Sequence, residues 1–170
     1  MGVFNLFKSA EHKKQQSDGD KLFLIAFDGI VEIKKHYKEV SHQGSAEVLL
    51  FNSLIALQQY QTLHPNKYEQ VSAIFFEKLF QQLRTYNLNM NNDEMANFVN
   101  NRFSLYLSEL LNFYNDEENS YLLLSIYRLF YEQPLEANPG TSTDLFEYAT
   151  FLPALMQMRA YIIDKCDNIY

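Results

Sequence analysis

Residues 68–86, YEQVSAIFFEKLFQQLRTY, carry the clearest helical pattern in the chain. Their apolar side chains recur every three or four residues, which places them on one face of an α-helix. That face consists of Tyr68, Val71, Phe75, Leu79, Leu83 and Tyr86. Pro65, just upstream, fits a first helical position, where a missing N–H removes no hydrogen bond. The stretch therefore predicts an amphipathic helix that packs one face into a core.

The same spacing continues on both sides of this stretch. Further helices are predicted over residues 21–40, 45–63, 92–114, 116–132, 144–151 and 155–169. Ser45 is the expected N-cap of the second helix, and Glu47 lies in its first turn, where the helix dipole favours negative charge. The segment 116–132 is apolar almost all round, so we predict that it is the central helix. Pro153 predicts a kink or a fresh helix start at Leu152.

The order of these segments predicts the fold class. No run alternates strictly between polar and apolar residues with turn signals on both sides, so a sheet is not expected. The connections are mostly short, which favours sequential antiparallel neighbours. We therefore predict an all-α antiparallel bundle of six or seven helices in a single compact domain. The alternative is a solenoid-like stack of helical hairpins.

The amino terminus is predicted to form a separate segment. Residues 1–18 contain Phe4, Leu6 and Phe7 followed by lysines, which indicates a short amphipathic helix. The polar stretch from Gln15 to Asp20 is interpreted as a hinge, and the helical domain covers residues 19–170. A hinge of this kind is compatible with exchange of the segment between the two chains of a homodimer.

Composition limits the compartment and the cofactors. A chain of 170 residues that is 47% hydrophobic can build one core without a disulfide or a metal. Cys166 is the only cysteine, so no intramolecular disulfide or Cys-rich zinc site is expected. We find neither a signal peptide nor an apolar run of membrane-spanning length, so we predict a cytoplasmic protein without stable membrane insertion. No cofactor is predicted.

Charge is distributed unevenly along the chain. The net charge is −7, and it divides into +1 for residues 1–85, with ten Lys or Arg against nine Asp or Glu, and −8 for residues 86–170, with four against twelve. An acidic surface of this kind repels the phosphates of nucleic acid, so a nucleic-acid partner is not expected. It favours a basic protein partner, whose approach the charge would steer.

The acidic half supplies the candidate partner-binding residues. They are Asp116, Glu117, Glu118, Glu132 and Glu136. We interpret the chain as a non-enzymatic protein-binding module that docks a basic partner through these carboxylates. Its small size and acidity are typical of an inhibitor or immunity protein that covers the basic surface of a toxin or nuclease.

A second hypothesis is a bundle that binds a small anionic ligand. The chain has four arginines, one in each of four predicted helices, and each has a Tyr or Phe within two residues. They are Arg84, Arg102, Arg128 and Arg159. If those helices pack together, the guanidinium groups can converge on an anion, with aromatic rings stacked on them. The simpler interpretation is four separate ion pairs.

A third hypothesis is a hydrolase with a histidine–carboxylate site. The histidines, His12, His36, His42 and His64, all lie in the first 64 residues, but no recognised catalytic motif surrounds them. Glu39 and His42 have a metal-ligand spacing that a di-iron bundle needs twice, and it occurs once, so we predict no metal site.

Surplus rings that lie off the core stripes, Phe76, Phe98, Phe113 and Tyr131, are the candidates for an interface.

Overall fold

A computed structural model of the chain describes residues 3–37, 40–86, 88–115, 124–133, 135 and 142–169. Side chains are described from Asp18 onward, except at 112–115 and 142–146. The helices are α1 (Val3–His36), α2 (His42–Leu63), α3 (Tyr68–Thr85), α4 (Asn92–Asn115), α5 (Leu124–Phe130) and α6 (Ser142–Asp167). The described ranges contain no β-strand, and the helices pack into one bundle, so the all-α prediction is confirmed.

Helix α2 occupies the centre of the bundle. It packs against all five other helices, and every residue from Gly44 to Leu57 is buried. The sequence had assigned the central position to residues 116–132. Of that segment the structure describes residues 124–132, in which α5 packs against α2, α4 and α6. The assignment was wrong because α2 also buries polar residues, which interrupt the apolar pattern by which a central helix is recognised.

Cross-helix contacts fix the relative directions of three helices. Along α1, Gly29 lies against Met158, Ile33 borders a cavity with Gln157, and the Tyr37 ring meets Phe151. Residue numbers thus rise along α1 as they fall along α6, which makes the two helices antiparallel. Asn52 and Gln59 of α2 contact Ala26 of α1 and Asp167 of α6, respectively. The electrostatic interaction of Asp18 with His64 completes the antiparallel course of α1 and α2.

The hinge predicted at Gln15 to Asp20 is part of one continuous helix, α1. Gly19, which belongs to the predicted hinge, lies where α1 crosses α3. A Cβ atom at this position would be 2.9 Å from the Cβ of Ile74 and 3.1 Å from the carbonyl oxygen of Val71. The glycine therefore allows close approach of two helices and does not break the helix that contains it.

Two helix starts differ from the predicted ones. Ser41 is the N-cap of α2, and its hydroxyl accepts a hydrogen bond from the backbone N–H of Gly44 at 2.9 Å. Ser45, the predicted cap, is buried inside the helix. Pro65 lies in a turn that the Lys67 N–H closes onto the carbonyl oxygen of His64 at 3.0 Å, so α3 begins three residues later than predicted.

Two other predictions concern α4 and α6. Helix α4 begins at Asn92, as predicted, and its start is closed by a reciprocal pair of hydrogen bonds. The Asn91 side chain accepts from the Glu94 N–H at 3.0 Å, and the Glu94 carboxylate accepts from the Asn91 N–H at 2.9 Å. Pro153 lies inside α6, where it neither ends nor restarts the helix. It is exposed, so the carbonyl group that lacks its hydrogen bond can face water.

The crossing of α1 over α2 depends on Gly29 and Asn52. The Asn52 side chain is fully buried, and its amide donates to the carbonyl oxygen of Ala26 at 2.9 Å. Gly29 makes room for this amide, because a Cβ atom there would lie 2.3 Å from Asn52 Nδ2. A contact that short cannot exist, so any side chain at position 29 must displace Asn52.

We expect the Gly29→Ala substitution to lower the free energy of unfolding by about 2–4 kcal/mol, since it overpacks the crossing and leaves the Asn52 amide without its acceptor. Helix propensity alone predicts a gain of about 0.5–1 kcal/mol from the same change. Urea denaturation measures the difference. Asp28→Ala, at the exposed neighbouring position, is the control and should change stability by less than about 0.5 kcal/mol. A Gly29→Ala variant as stable as the unaltered protein would contradict this account.

Candidate functional site

Six aromatic rings meet where the carboxyl end of α1 lies beside α5 and the first half of α6. These residues, called the tyrosine cluster below, are Tyr37, Tyr127, Phe130, Tyr131, Tyr148 and Phe151. Neighbouring ring centroids are 4.8–6.2 Å apart, within the range of favourable aromatic pairs. Phe130, Phe151 and Tyr127 are buried, whereas Tyr37, Tyr131 and Tyr148 are half-buried. The cluster thus has a packed base and a partly open rim of tyrosines.

A carboxylate lies beside this rim. The Tyr127 hydroxyl donates to Glu147 Oε2 at 3.4 Å, and the Tyr37 hydroxyl is hydrogen-bonded to the Thr150 side chain, one turn further along α6. Burial raises the pKa of both Tyr37 and Tyr131, and the negative charge of Glu147 raises it further. The phenols therefore stay protonated at neutral pH.

Glu132 follows the cluster directly and has an unusual backbone. Its φ angle is 56°, in the left-handed region that glycine adopts far more easily than glutamate. The Glu132 N–H donates to the carbonyl oxygen of Leu129, and the Gln133 N–H donates to that of Arg128 at 2.7 Å. These bonds form a Schellman motif that ends α5, with glutamate at the position where glycine is usual. Glu132 itself is exposed.

Of the predicted partner-binding carboxylates, Glu132 is the one that the structure describes. Asp116, Glu117, Glu118 and Glu136 lie outside the described residues. Glu147, an acid of the same half, joins Glu132 beside the tyrosine cluster. The described part of the acidic half thus places the Glu147 carboxylate at the tyrosine cluster, and Glu132 directly after Tyr131 in the chain.

The four arginines, which the second hypothesis brought together around an anion, contact different groups. Arg84, at the end of α3, is exposed and donates to Asn92 Oδ1 at 2.5 Å. Arg128 of α5 donates to the backbone carbonyl oxygen of Leu135. Arg159 of α6 borders a cavity beside α2. These contacts lie in different parts of the bundle, so the four arginines do not line one pocket.

The fourth arginine, Arg102, forms a buried charge cluster between α4 and α2. Its Nε donates to both oxygens of Glu47 at 3.1 Å, and the Tyr106 hydroxyl donates to Glu47 Oε2. The Glu47 side chain is 2% exposed, and the Arg102 side chain is 22% exposed, with its Cζ 5.0 Å from the Phe98 ring centroid. Burial raises the pKa of Glu47, and Arg102 opposes that shift. With its ion pair and hydrogen bonds inside the protein, the cluster joins two helices.

Removing the arginine should expose the cost of burying Glu47. We expect Arg102→Met to lower the free energy of unfolding at pH 7.5 by about 3–5 kcal/mol, because it leaves a buried carboxylate without its counter-ion. The folded-state pKa of Glu47 would then lie further above the ordinary 4.5. A raised pKa means that the folded state binds the proton in the window above 4.5, so stability recovers as the pH falls towards that value.

Urea denaturation at pH 7.5 and 5.0 tests this prediction. The loss caused by Arg102→Met should be at least about 1 kcal/mol smaller at pH 5.0. The control combines Arg102→Met with Glu47→Gln. Because position 47 then carries no carboxylate, the loss of stability should be the same at both pH values. An equal loss at both pH values in the single variant would show that Glu47 does not determine it.

The hydrolase hypothesis requires a histidine near a carboxylate, and His64 with Asp18 is such a pair. Burial lowers the pKa of His64, as does the charge of Lys67, while the carboxylate of Asp18 opposes both. Asp18 is 2% exposed, and its Oδ2 has no hydrogen-bonding partner among the described residues. His42 is exposed and stacks against Tyr86. The side chain of His12 lies outside the described residues.

Two Glu–His pairs have the spacing of metal ligands, Glu39 with His42 and Glu32 with His36, although no metal site was predicted. Glu39 lies outside the described residues, and Glu32 pairs with Lys35 at 2.6 Å. Glu32 and His36 border a small cavity of about 90 Å³ between α1 and α6, whose other lining residues are not metal ligands of the His, Cys, Asp or Glu type. In the described part of the chain, three or more such residues do not come together anywhere.

The tyrosine cluster could not be found from sequence spacing. Tyr37 is far from Tyr127 along the chain, and only the packing of α1 against α6 brings Tyr37 to Phe151. One signal did point to it, because Tyr131 lies off the main apolar stripe of its segment. The other described surplus rings are elsewhere: Phe76 packs against Phe80 and Phe103, and Phe98 lies under Arg102. The Phe113 side chain is outside the described residues.

Fold and contacts define the class of this protein as an all-α helical bundle. Comparison with known proteins finds no matching family model, no similar curated sequence and no similar solved structure. Among the described residues, none of the helices combines the length and the apolar character that crossing a membrane requires.

Proposed function

We propose that this chain is a non-enzymatic protein-binding module that docks a basic segment of a partner protein on the tyrosine cluster, between Glu132 and Glu147. The observation that carries the proposal is the combination of half-buried tyrosine rings with the Glu147 carboxylate, which accepts from Tyr127, and with the exposed Glu132, which follows Tyr131 directly in the chain. Lysine and arginine side chains bind the faces of such rings through cation–π interactions, and carboxylates pair with the same cations. The proposed partner is therefore a Lys- or Arg-rich segment.

The positions of the groups support one binding mode. Glu147 accepts a hydrogen bond from Tyr127, and its charge raises the pKa of both Tyr37 and Tyr131. Glu132 is adjacent to Tyr131 in the chain and exposed. In the proposed mode a guanidinium group stacks on the Tyr131 ring and pairs with the carboxylate of Glu132 or of Glu147. The −8 charge of residues 86–170 would attract a basic partner from a distance.

The backbone of Glu132 gives independent support. A glutamate held at φ 56° is strained by about 1 kcal/mol relative to glycine. A sequence that keeps a strained residue where glycine would be more stable points to a role for its side chain. In the proposed function that role is to hold a carboxylate beside the aromatic rim.

An inhibitor or immunity protein is the subtype that this chemistry matches. Such a protein covers the basic surface of a toxin or nuclease, and an acidic surface with aromatic rings is complementary to it. Subtype and partner identity rest on composition and charge. The docking proposal does not depend on them.

Binding of a synthetic decapeptide of alternating Arg and Ser residues to the full chain tests the docking surface by isothermal titration calorimetry. We expect Tyr131→Leu and Glu147→Gln each to weaken binding by about 5-fold or more, since each removes one cation contact. Raising the salt from 50 to 300 mM should weaken binding further, because exposed charges are screened. An acidic decapeptide of the same length should not bind.

The matched control is Glu77→Gln, which makes the same charge change on an exposed position of α3. This helix packs against α1 and α2, away from the tyrosine cluster. It should change the affinity by less than about 2-fold, as expected of a screened, distant charge. Equal weakening by Glu77→Gln and Glu147→Gln would refute a defined site and indicate attraction by net charge alone. A variant that neutralises Asp116, Glu117 and Glu118 measures how far the surface extends.

Two substitutions of Glu132 separate its strain from its charge. Glu132→Gly should raise the free energy of unfolding by about 1 kcal/mol, because glycine adopts the left-handed backbone without a steric penalty. Glu132→Gln keeps the strain, so its stability should stay within about 0.5 kcal/mol of the unaltered protein. Both variants should bind the basic decapeptide more weakly and to a similar extent. If neither loses affinity, Glu132 has no part in docking.

A further inference from the structure

A second site of different chemistry lies between the carboxyl-terminal halves of α2 and α6. It is a cavity of about 390 Å³. The residues that line it include Ile55, Gln58, Gln61, Thr62, Arg159 and Ile163. The tyrosine cluster, in contrast, meets the first half of α6 around Tyr148 and Phe151. The two places are therefore distinct, and they differ in charge, because the residues that line this cavity include an arginine but no carboxylate.

Arg159 is the unusual member of the lining. Its Nε atom is buried and has no hydrogen-bonding partner among the described residues. The described residues also offer Arg159 no carboxylate within ion-pair distance, while Arg102 pairs with Glu47. Asp167, the last residue of α6, accepts a hydrogen bond from the Gln59 side chain at 2.6 Å. Arginine keeps its charge under all ordinary conditions, so a partly enclosed guanidinium group that lacks a counter-ion calls for an anion.

The surrounding side chains indicate what kind of anion fits. Gln58 and Gln61 carry amide groups that can donate hydrogen bonds, and the Thr62 hydroxyl already donates to the carbonyl oxygen of Gln58 at 2.9 Å. Ile55 and Ile163 form an apolar wall beside them. A planar carboxylate matches the fork of donors on a guanidinium group, and a short alkyl chain matches the wall.

We propose that this cavity binds a small carboxylate with a short apolar chain, whose carboxylate is held by Arg159. Gln58 and Gln61 complete the hydrogen bonds to the anion, and Ile55 and Ile163 contact its chain. The site uses one of the four arginines of the chain and does not require the others to converge. It is independent of docking at the tyrosine cluster, so either proposal can fail without the other.

Arginine side-chain NMR tests the site directly, because the chain contains only four arginines and therefore only four Nε–H groups. The Arg159 signal is assigned by its loss in Arg159→Gln, and the Arg84 signal by its loss in Arg84→Gln. Hexanoate is titrated into the full-length protein, with hexanol as the uncharged probe of similar shape. We expect hexanoate to shift the Arg159 signal in a saturable way and to leave that of Arg84, which is exposed and paired with Asn92, unchanged.

The variants extend the same measurement to affinity. Backbone amide shifts around Ile55 and Ile163 should report hexanoate binding about 10-fold or more weaker in Arg159→Gln, since a charge-assisted hydrogen bond is lost. Arg84→Gln should bind as the unaltered protein does. Should Arg159→Gln fail to fold, the comparison of hexanoate with hexanol on the unaltered protein still decides the matter.

Three results would overturn the proposal. The first is an Arg159 signal that hexanoate does not shift, and the second is an equal response to hexanoate and hexanol, which would indicate an apolar site without anion recognition. The third is a tetrapeptide with a free carboxyl terminus that binds more tightly than hexanoate at the same residues. Such binding would show that the carboxylate comes from a protein chain and not from a small molecule.

Discussion

A helix that is enclosed on all sides must find every hydrogen-bonding partner inside the protein, and this requirement governs the bundle around α2. Its buried stretch from Gly44 to Leu57 contains the polar side chains of Glu47 and Asn52. Each binds a different neighbour: Glu47 takes Arg102 and Tyr106 from α4, and Asn52 takes the Ala26 carbonyl group from α1. These bonds fix where α1 and α4 cross the central helix, because unpaired buried polar groups are strongly unfavourable.

The same requirement explains the placement of the helical glycines. Asn52 can reach the α1 backbone only because Gly29 has no side chain in its way, and Gly44 leaves room for the carbonyl oxygen of Phe130. The sequence predicted a hinge in the stretch that contains Gly19. In this bundle the helical glycines mark the places where two helices approach most closely. A single sequence does not distinguish the two uses, since both depend on the missing Cβ atom and only the neighbouring helix decides between them.

The sequence predicted those parts of the fold that depend on local periodicity. The apolar stripe of α3 was correct to within a residue at its end, and the start of α4 at Asn92 was correct because side-chain caps leave a local signal. The central helix was not predictable in the same way, since its buried polar residues hide its burial. Nor was the tyrosine cluster, because Tyr37 and Phe151 meet only through tertiary packing. The sequence showed a surplus of aromatic rings, but it did not show where in the fold they cluster.

Two departures from local consistency lie in the second half of the chain, where the proposed binding sites are. Glu132 holds a backbone conformation that suits glycine, and Arg159 buries a guanidinium nitrogen without an acceptor among the described residues. Neither contributes to stability as it stands. The Glu47–Arg102 pair, which is also charged and is more deeply buried, has its partners inside the protein and needs none from outside. A charged group whose partners are internal holds the fold together, whereas one that is strained or unpaired is more stable when a ligand supplies what is missing. By that criterion the surface at Glu132 and the cavity at Arg159, and not the more deeply buried ion pair, are the places where we propose that this bundle binds other molecules.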